Sequence, residues 1–195
     1  MLESNLKKFN HLKIHSQFSI CEGAIKIDEL KDQAKDFKIS AMGICDTSNL
    51  CGAVEFSDKL SKIGTQPIIG TQINFKFEET TGFLPLFALN IEGYKKIIEL
   101  SSKSYLENND TLDPHLYIDD LLKLDTNGIS IFSGTIFGLF GKLFNKGKFA
   151  EIIDLYKKIK KNFGDKFYIE IQRHNDVNEK QFESYNLEQS KNLNL

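Results

Sequence analysis

The sequence has no tryptophan and only three cysteines in 195 residues. Cys21, Cys45 and Cys51 are odd in number and lack the Cys-x-x-Cys spacing of a structural zinc site. They read as reduced thiols of a cytoplasmic protein. No apolar run approaches the ~20 residues that a membrane-spanning helix needs. The opening Met-Leu-Glu-Ser-Asn-Leu-Lys-Lys lacks the apolar core of a signal peptide, so no membrane is expected among the partners. A basic excess is also missing: 25 Lys and Arg against 27 Asp and Glu give a net charge of -2. Nucleic-acid affinity comes largely from neutralising phosphates, so the chain alone is expected to bind DNA little. Two lysine clusters, Lys7-Lys8 and residues 157–161, read as solvated faces. There is no internal repeat and no low-complexity linker.

What is present is an ordinary globular composition, with 41% hydrophobic and 27% charged residues. The length suits one domain over residues 1–195. Sixteen phenylalanines supply large apolar volume for a core. Alternation in residues 11–15 predicts a strand, with Leu12 and Ile14 on one face and His11, Lys13 and His15 on the other. Helical spacing follows over residues 25–37 (Ile27, Leu30, Ala34, Phe37) and 53–63 (Val54, Leu60, Ile63). Gly64 is placed as the stop of the second helix. A short apolar run at 39–45 suits a buried strand. Further strands are expected at 67–77, 83–90, 128–133 and 166–173. Further helices are expected at 92–106 (Tyr94, Ile97, Ile98 and Ser101 on one side), 115–124, 136–145, 148–163 and 178–193. Residues 108–114 are polar and turn-rich, a loop. Strand and helix alternate about six times, which predicts an α/β fold with a mostly parallel sheet. The pattern leaves open whether that sheet closes into a barrel or is doubly wound.

The first strand carries the chemistry. Imidazole is the commonest protein ligand for transition metals, so two histidines on one strand face are a metal-site candidate. Ser16, Ser19, Glu22 and Gly23 then form a polar turn, and its carboxylate lies where barrels and open α/β sheets place their sites. The competing reading is ordinary polar surface. It is the preferred one for His115, His174 and the cysteines, which show no ligand spacing.

Five segments, in order, resemble one family. His15-Ser16-x-Phe18-Ser19-x-x-Glu22-Gly23-Ala24 is similar to the first motif of a PHP (polymerase and histidinol phosphatase) domain, in the variant that opens the alpha subunits of bacterial DNA polymerase III. The run from Asp46 to Phe56 resembles the second motif. Lys62-Ile63-Gly64 with Pro67-Ile68-Ile69-Gly70 resembles the third. Asn90-x-x-Gly93-Tyr94 and Gly128-Ile129-x-Ile131-x-Ser133-Gly134 resemble the fourth and fifth. The resemblance covers residue 9 to at least 172. It implies a distorted (β/α)7 barrel, TIM-like, of which this chain holds about six strands and is incomplete at its C-terminal end. A truncated piece of a much longer polypeptide is therefore expected.

In active members of the family, the resemblance implies, a cup at the strand ends holds three metal ions. Laid on this sequence, the first His of the His-x-His pair falls on Lys13 and the second on His15. The next Asp falls on Glu22, and the His of an Asp-His pair falls on Thr47, beside Asp46. The Glu of a Gly-x-Glu motif falls on Gln72, a further His near Phe83, and a Cys on Thr135. Only His15 and Glu22 keep a suitable ligand there, with Asp46 a third candidate, and Lys13 adds a positive charge that repels metal. An ion pair of Lys13 with Glu22 or Asp46 is expected in the metal's place.

This pattern resembles the degenerate cups of proteobacterial members. It implies a non-catalytic module that takes part in DNA replication, steadies the polymerase and docks a proofreading exonuclease subunit. The implied parent is a DNA-directed DNA polymerase, a nucleotidyltransferase using Mg2+, with DNA reached through the rest of that chain. The alternative is a metal-dependent phosphoesterase or 3'-5' exonuclease built on His15, Glu22 and Asp46. A small-molecule phosphatase of the histidinol-phosphate type shares its shortage of ligands and fits Asn49-Leu50-Cys51-Gly52 less well.

Overall fold

A computed structural model describes residues 9–107 and 113–195. The Lys7-Lys8 cluster and most of the expected loop at 108–114 lie outside the described residues. The chain divides into two compact units, Met1–Gly70 and Thr71–Leu195.

In the first unit, helix α1 (Ile27–Asp36) and helix α2 (Ala53–Ser61) flank strand β1 (Ala41–Thr47) in sequence. Ile27, Leu30 and Ala34 on α1, at i, i+3 and i+7, join Met42 and Ile44 of β1 and Phe56 and Leu60 of α2 in one core. Two expected members of the helix stripes are displaced. Phe37 caps α1 from outside the helix and is exposed, and Val54 is exposed because the α2 stripe runs Ala53, Phe56, Leu60. Gly64 does close α2: it adopts φ +77°, a conformation that costs a residue without Cβ little.

Residues 11–15 run along β1 but do not form a regular strand. Gly43 N–H donates to His11 O (2.7 Å) and Cys45 N–H donates to Ile14 O (2.8 Å). Three steps on one segment thus oppose two on the other, which breaks the alternation as a bulge does. The approach is close. A Cβ on Gly43 would lie 2.3 Å from Leu12 O. His11 is consequently exposed beside Phe9, while Ile14 packs on the core.

Strand β2 (Gln66–Phe77) leads into the second unit. A two-residue turn at Glu78-Glu79 connects it to β3 (Thr80–Ala88). Helix α3 (Ile91–Leu106) follows, then β4 (Leu116–Tyr117), α4 (Ile118–Leu122), β5 (Ile129–Phe132), α5 (Leu139–Asn145), α6 (Phe149–Phe163), β6 (Phe167–Tyr168) and α7 (Glu179–Leu193). Parallel pairs join β2 to β4 and β5 to β6, and β3 pairs antiparallel with β5, with Leu86 opposite Ile131. The fold is mixed α/β, and the strand order is an open path that does not close into a ring.

Three expected elements differ. The helix expected at 115–124 begins with two residues of β4, because Leu116 and Tyr117 pair with Phe75 and Lys76. The strand expected at 166–173 shrinks to Phe167–Tyr168. Beyond it, Glu170 N–H donates to Ser133 Oγ, while His174 and Asn175 N–H donate to the Glu179 carboxylate, so these donors cannot form a ladder. On α3 the buried stripe is Gly93, Ile97, Leu100 and Ser104, turned from the expected Tyr94–Ser101 side. Gly93 sets that rotation, since a Cβ there would lie 1.7 Å from Gly128 O. Asn90 Oδ1 meanwhile caps the helix by accepting from Gly93 N–H (2.9 Å). The two family-like segments at 90–94 and 128–134 therefore meet backbone to backbone.

Candidate functional site

The first unit brings four of the expected site residues together. Asp46, at the end of β1, is 2% exposed. Its Oδ1 accepts from Ser16 N–H (2.6 Å) and from Ser19 Oγ (2.6 Å), and its Oδ2 accepts from Ser16 Oγ (2.8 Å). A buried carboxylate is costly unless it is hydrogen-bonded, and here three donors from one turn engage both of its oxygens. That turn is built locally. Ser16 Oγ also accepts from Phe18 N–H, and Ser19 O accepts from the N–H groups of Glu22 and Gly23. Gly23 is required where the turn closes, because a Cβ would lie 2.1 Å from Ser16 O. Asn49 adds a second tie: its Nδ2 donates to Phe18 O (3.0 Å) and its Oδ1 accepts from Cys51 N–H (3.0 Å).

Above this clasp, Thr47 Oγ1 donates to Glu22 Oε2, and Thr47 N–H donates to Ser19 Oγ (3.1 Å). His15 Nδ1 lies 4.0 Å from Glu22 Oε2. Burial holds the His15 pKa below its ordinary 6.5, and the charge of Lys13 pushes the same way against the pull of Glu22 and Asp46. His15 is therefore a neutral imidazole near pH 7, beside a half-exposed carboxylate already engaged by Thr47.

Lys13 also belongs to the first unit, where its charge acts on His15, and the other three expected residues belong to the second unit. Gln72 is buried on β2. Phe83 sits on β3, where its carbonyl approaches Gly134 and Gly138 closely enough that a Cβ on either would be 2.9 Å away. Thr135 lies in the turn before α5. Its Oγ1 accepts from Phe137 N–H (3.2 Å) and its carbonyl accepts from Gly138 N–H (2.9 Å).

The three-metal cup implied by the resemblance does not fit these residues. Asp46 spends both oxygens on Ser16 and Ser19, Glu22 is bonded by Thr47, and Gln72, Phe83 and Thr135 bring no anionic or imidazole donor. Among the described residues no three His, Cys, Asp or Glu side chains gather as a metal site requires. The sequence places Ser16 and Ser19 in a polar turn and Asn49 in a motif, without assigning any of them to the clasp around Asp46. The signal for them is Ser-x-x-Ser entering a glycine turn, a pair of hydroxyls that a buried acceptor can collect.

Comparison with known proteins agrees with the motif order. The chain is 34% identical over 182 residues to the DNA polymerase III subunit alpha of Caulobacter vibrioides, covering 89% of this chain and 16% of that protein. It is 35% identical over 180 residues to the corresponding subunit of Borreliella burgdorferi, covering 86% and 15%. It is 32% identical over 197 residues to that of Buchnera aphidicola from Schizaphis graminum, covering 98% and 17%. The chain thus spans about a sixth of the length of these curated relatives. No helix among the described residues is long and apolar enough to cross a membrane. The pattern of the PHP domain matches residues 11–174, through both units, and the chain belongs to that family.

Proposed function

We propose that this chain is the PHP module of a bacterial DNA polymerase III alpha subunit, and that the module acts as a scaffold without chemistry of its own. The observation that carries this reading is the Asp46 clasp. The carboxylate that a metal-dependent cup would use is consumed in tying the 16–23 turn to β1. Lys13, on this reading, supplies beside Glu22 or Asp46 the positive charge that a metal otherwise brings. The parent polypeptide is a DNA-directed DNA polymerase of the cytoplasm whose Mg2+ ions serve its polymerase part. The module supports that part and docks a separate proofreading exonuclease. Closure of the sheet into a seven-stranded barrel belongs to the longer chain. The test is hydrolysis of 4-nitrophenyl phosphate and of a 3'-labelled oligonucleotide, with Mn2+ or Zn2+ added. The purified chain is expected to hydrolyse neither, while the full-length gene product supports template-directed synthesis. Metal-dependent hydrolysis that His15→Ala abolishes would establish the phosphoesterase reading instead.

A further inference from the structure

Five lysines gather where helices α4 and α6 end. Lys123 follows α4 directly, Lys160 and Lys161 lie in the last turn of α6, Lys166 comes just after it, and Lys96 reaches the same loop from α3. Asn162 holds the two helix ends together. Its Nδ2 donates toward the carbonyls of Leu121, Leu122 and Leu124 (3.3, 3.2 and 3.4 Å), and its carbonyl accepts from Thr126 Oγ1 (3.0 Å).

Helix C-termini carry partial negative charge, so some cations belong here for the sake of the fold. That covers the inner lysines. Lys166 Nζ donates to Thr126 O (2.7 Å), Lys96 Nζ donates to Asn127 O (2.9 Å) and pairs with Asp125 (2.6 Å), and Lys160 pairs with Asp165 (3.1 Å). Both aspartates of the cluster thus have their cations. It does not cover Lys123 and Lys161, or Lys157 one turn before. All three are exposed, and among the described residues none of them pairs with a carboxylate. Asp154, on the turn before Lys157, is held by Lys158 (2.7 Å). Lys157 and Lys161 stand four residues apart on one helix face, where like charges repel, so helix stability does not explain them. The whole chain has a net charge of -2, but a polyanion meets the local field, which is positive at this face.

We propose that the end of α6, with Lys123, Lys157 and Lys161, is a docking surface for the phosphate backbone of duplex DNA. Lysine ammonium groups bind phosphates as point charges and read no sequence. Each strand of a duplex offers a phosphate about every 3.4 Å of its axis, dense enough to meet lysines spaced about 6 Å along a helix. Three contacts attach DNA weakly, which suits a module that steadies a duplex held by the rest of its parent chain. The polyanion follows from the lysines. The choice of DNA over an acidic protein rests on the polymerase reading above.

The test is fluorescence anisotropy of a labelled duplex of about 20 base pairs, titrated with the purified chain between about 20 and 100 mM salt. Binding is expected that weakens as salt rises. Lys157→Gln/Lys161→Gln should lower affinity at least about fivefold at the lowest salt and flatten the salt slope by about two phosphate contacts. Lys35→Gln/Lys62→Gln, which removes the same charge from the first unit, should change affinity less than about twofold. All these side chains are exposed, so both variants should melt as the parent does. Template-directed synthesis by the full-length gene product decides the polymerase reading separately, so the two can fail independently. Equal weakening in both variants, or no salt-sensitive binding at all, overturns the proposal. So does a labelled polyglutamate that binds more tightly than the duplex and is lost in Lys157→Gln/Lys161→Gln, which would assign the face to an acidic protein.

Discussion

The two units each bury a polar network, and they build it in opposite ways. In the first, one ionised side chain, Asp46, collects three donors from a single turn. In the second, neutral groups pass hydrogen bonds from the Glu170 backbone through Ser133 and Tyr156 to Asn186. A charged hub concentrates stability at one residue and engages both of its oxygens. A neutral chain spreads the same work over several residues. The difference teaches that a single buried carboxylate can tie a distant turn to a strand, whereas a neutral chain needs several residues to link its elements.

The largest effect expected from breaking this contrast is at the hub. Asp46→Ala strands the Ser16 N–H and two hydroxyls, and urea melts should show a loss of about 3 kcal/mol or more. Ser19→Ala, which removes one donor, should cost about 1–2 kcal/mol. Next come the close backbone approaches, one in each unit. Gly93→Ala drives a Cβ to 1.7 Å from Gly128 O, and Gly23→Ala drives one to 2.1 Å from Ser16 O. Each should lose at least the 1–3 kcal/mol typical of overpacking, because backbone rather than a flexible side chain must yield. Equal stability of Gly93→Ala and the parent protein would contradict the α3–β5 packing.

Along the neutral chain the expected effects are smaller. Tyr156→Phe should cost about 1 kcal/mol, the net worth of an ordinary buried hydrogen bond, and less than Asp46→Ala by denaturant midpoint. A larger loss from Tyr156→Phe than from Asp46→Ala would reverse the comparison. The smallest effect is electrostatic. Burial and Lys13 lower the His15 pKa below 6.5 in the folded state, so the unfolded chain binds the proton more readily. Stability attributable to His15 is then complete above pH 6.5 and declines as pH falls through 6.5 toward the folded value. Melting temperature should drop on acidification from pH 7.5 to 5.5, and His15→Gln should flatten that slope. A steeper slope in His15→Gln would show the sign to be wrong.

Helices were the most legible part of the sequence, because burial of one face imposes the i, i+3, i+7 spacing seen at Ile27, Leu30 and Ala34. Strand 11–15 was not, since its pairing with β1 skips a residue and alternation carries no record of that. Strand β6 was over-read because Phe167, Ile169 and Ile171 alternate, while the backbone donors beyond Tyr168 turn to Ser133 and Glu179. The motif order is legible in the sequence, and the PHP domain pattern over residues 11–174 agrees with it. The role of Asp46 is not legible there. Its partners Ser16 and Ser19 lie on a distant turn, and an aspartate that binds metal and one that accepts hydroxyls look alike in sequence.

The central claim, that the Asp46 position holds the fold together and not a metal, is tested most directly by titrating the purified chain with Mn2+ and Zn2+ while following metal content and melting temperature. The account predicts no stoichiometric metal, a melting temperature unchanged by chelator, and a large fall in stability for Asp46→Ala with or without metal. A bound metal in whole-number ratio that raises the melting temperature, and is lost in both His15→Ala and Asp46→Ala, would contradict it.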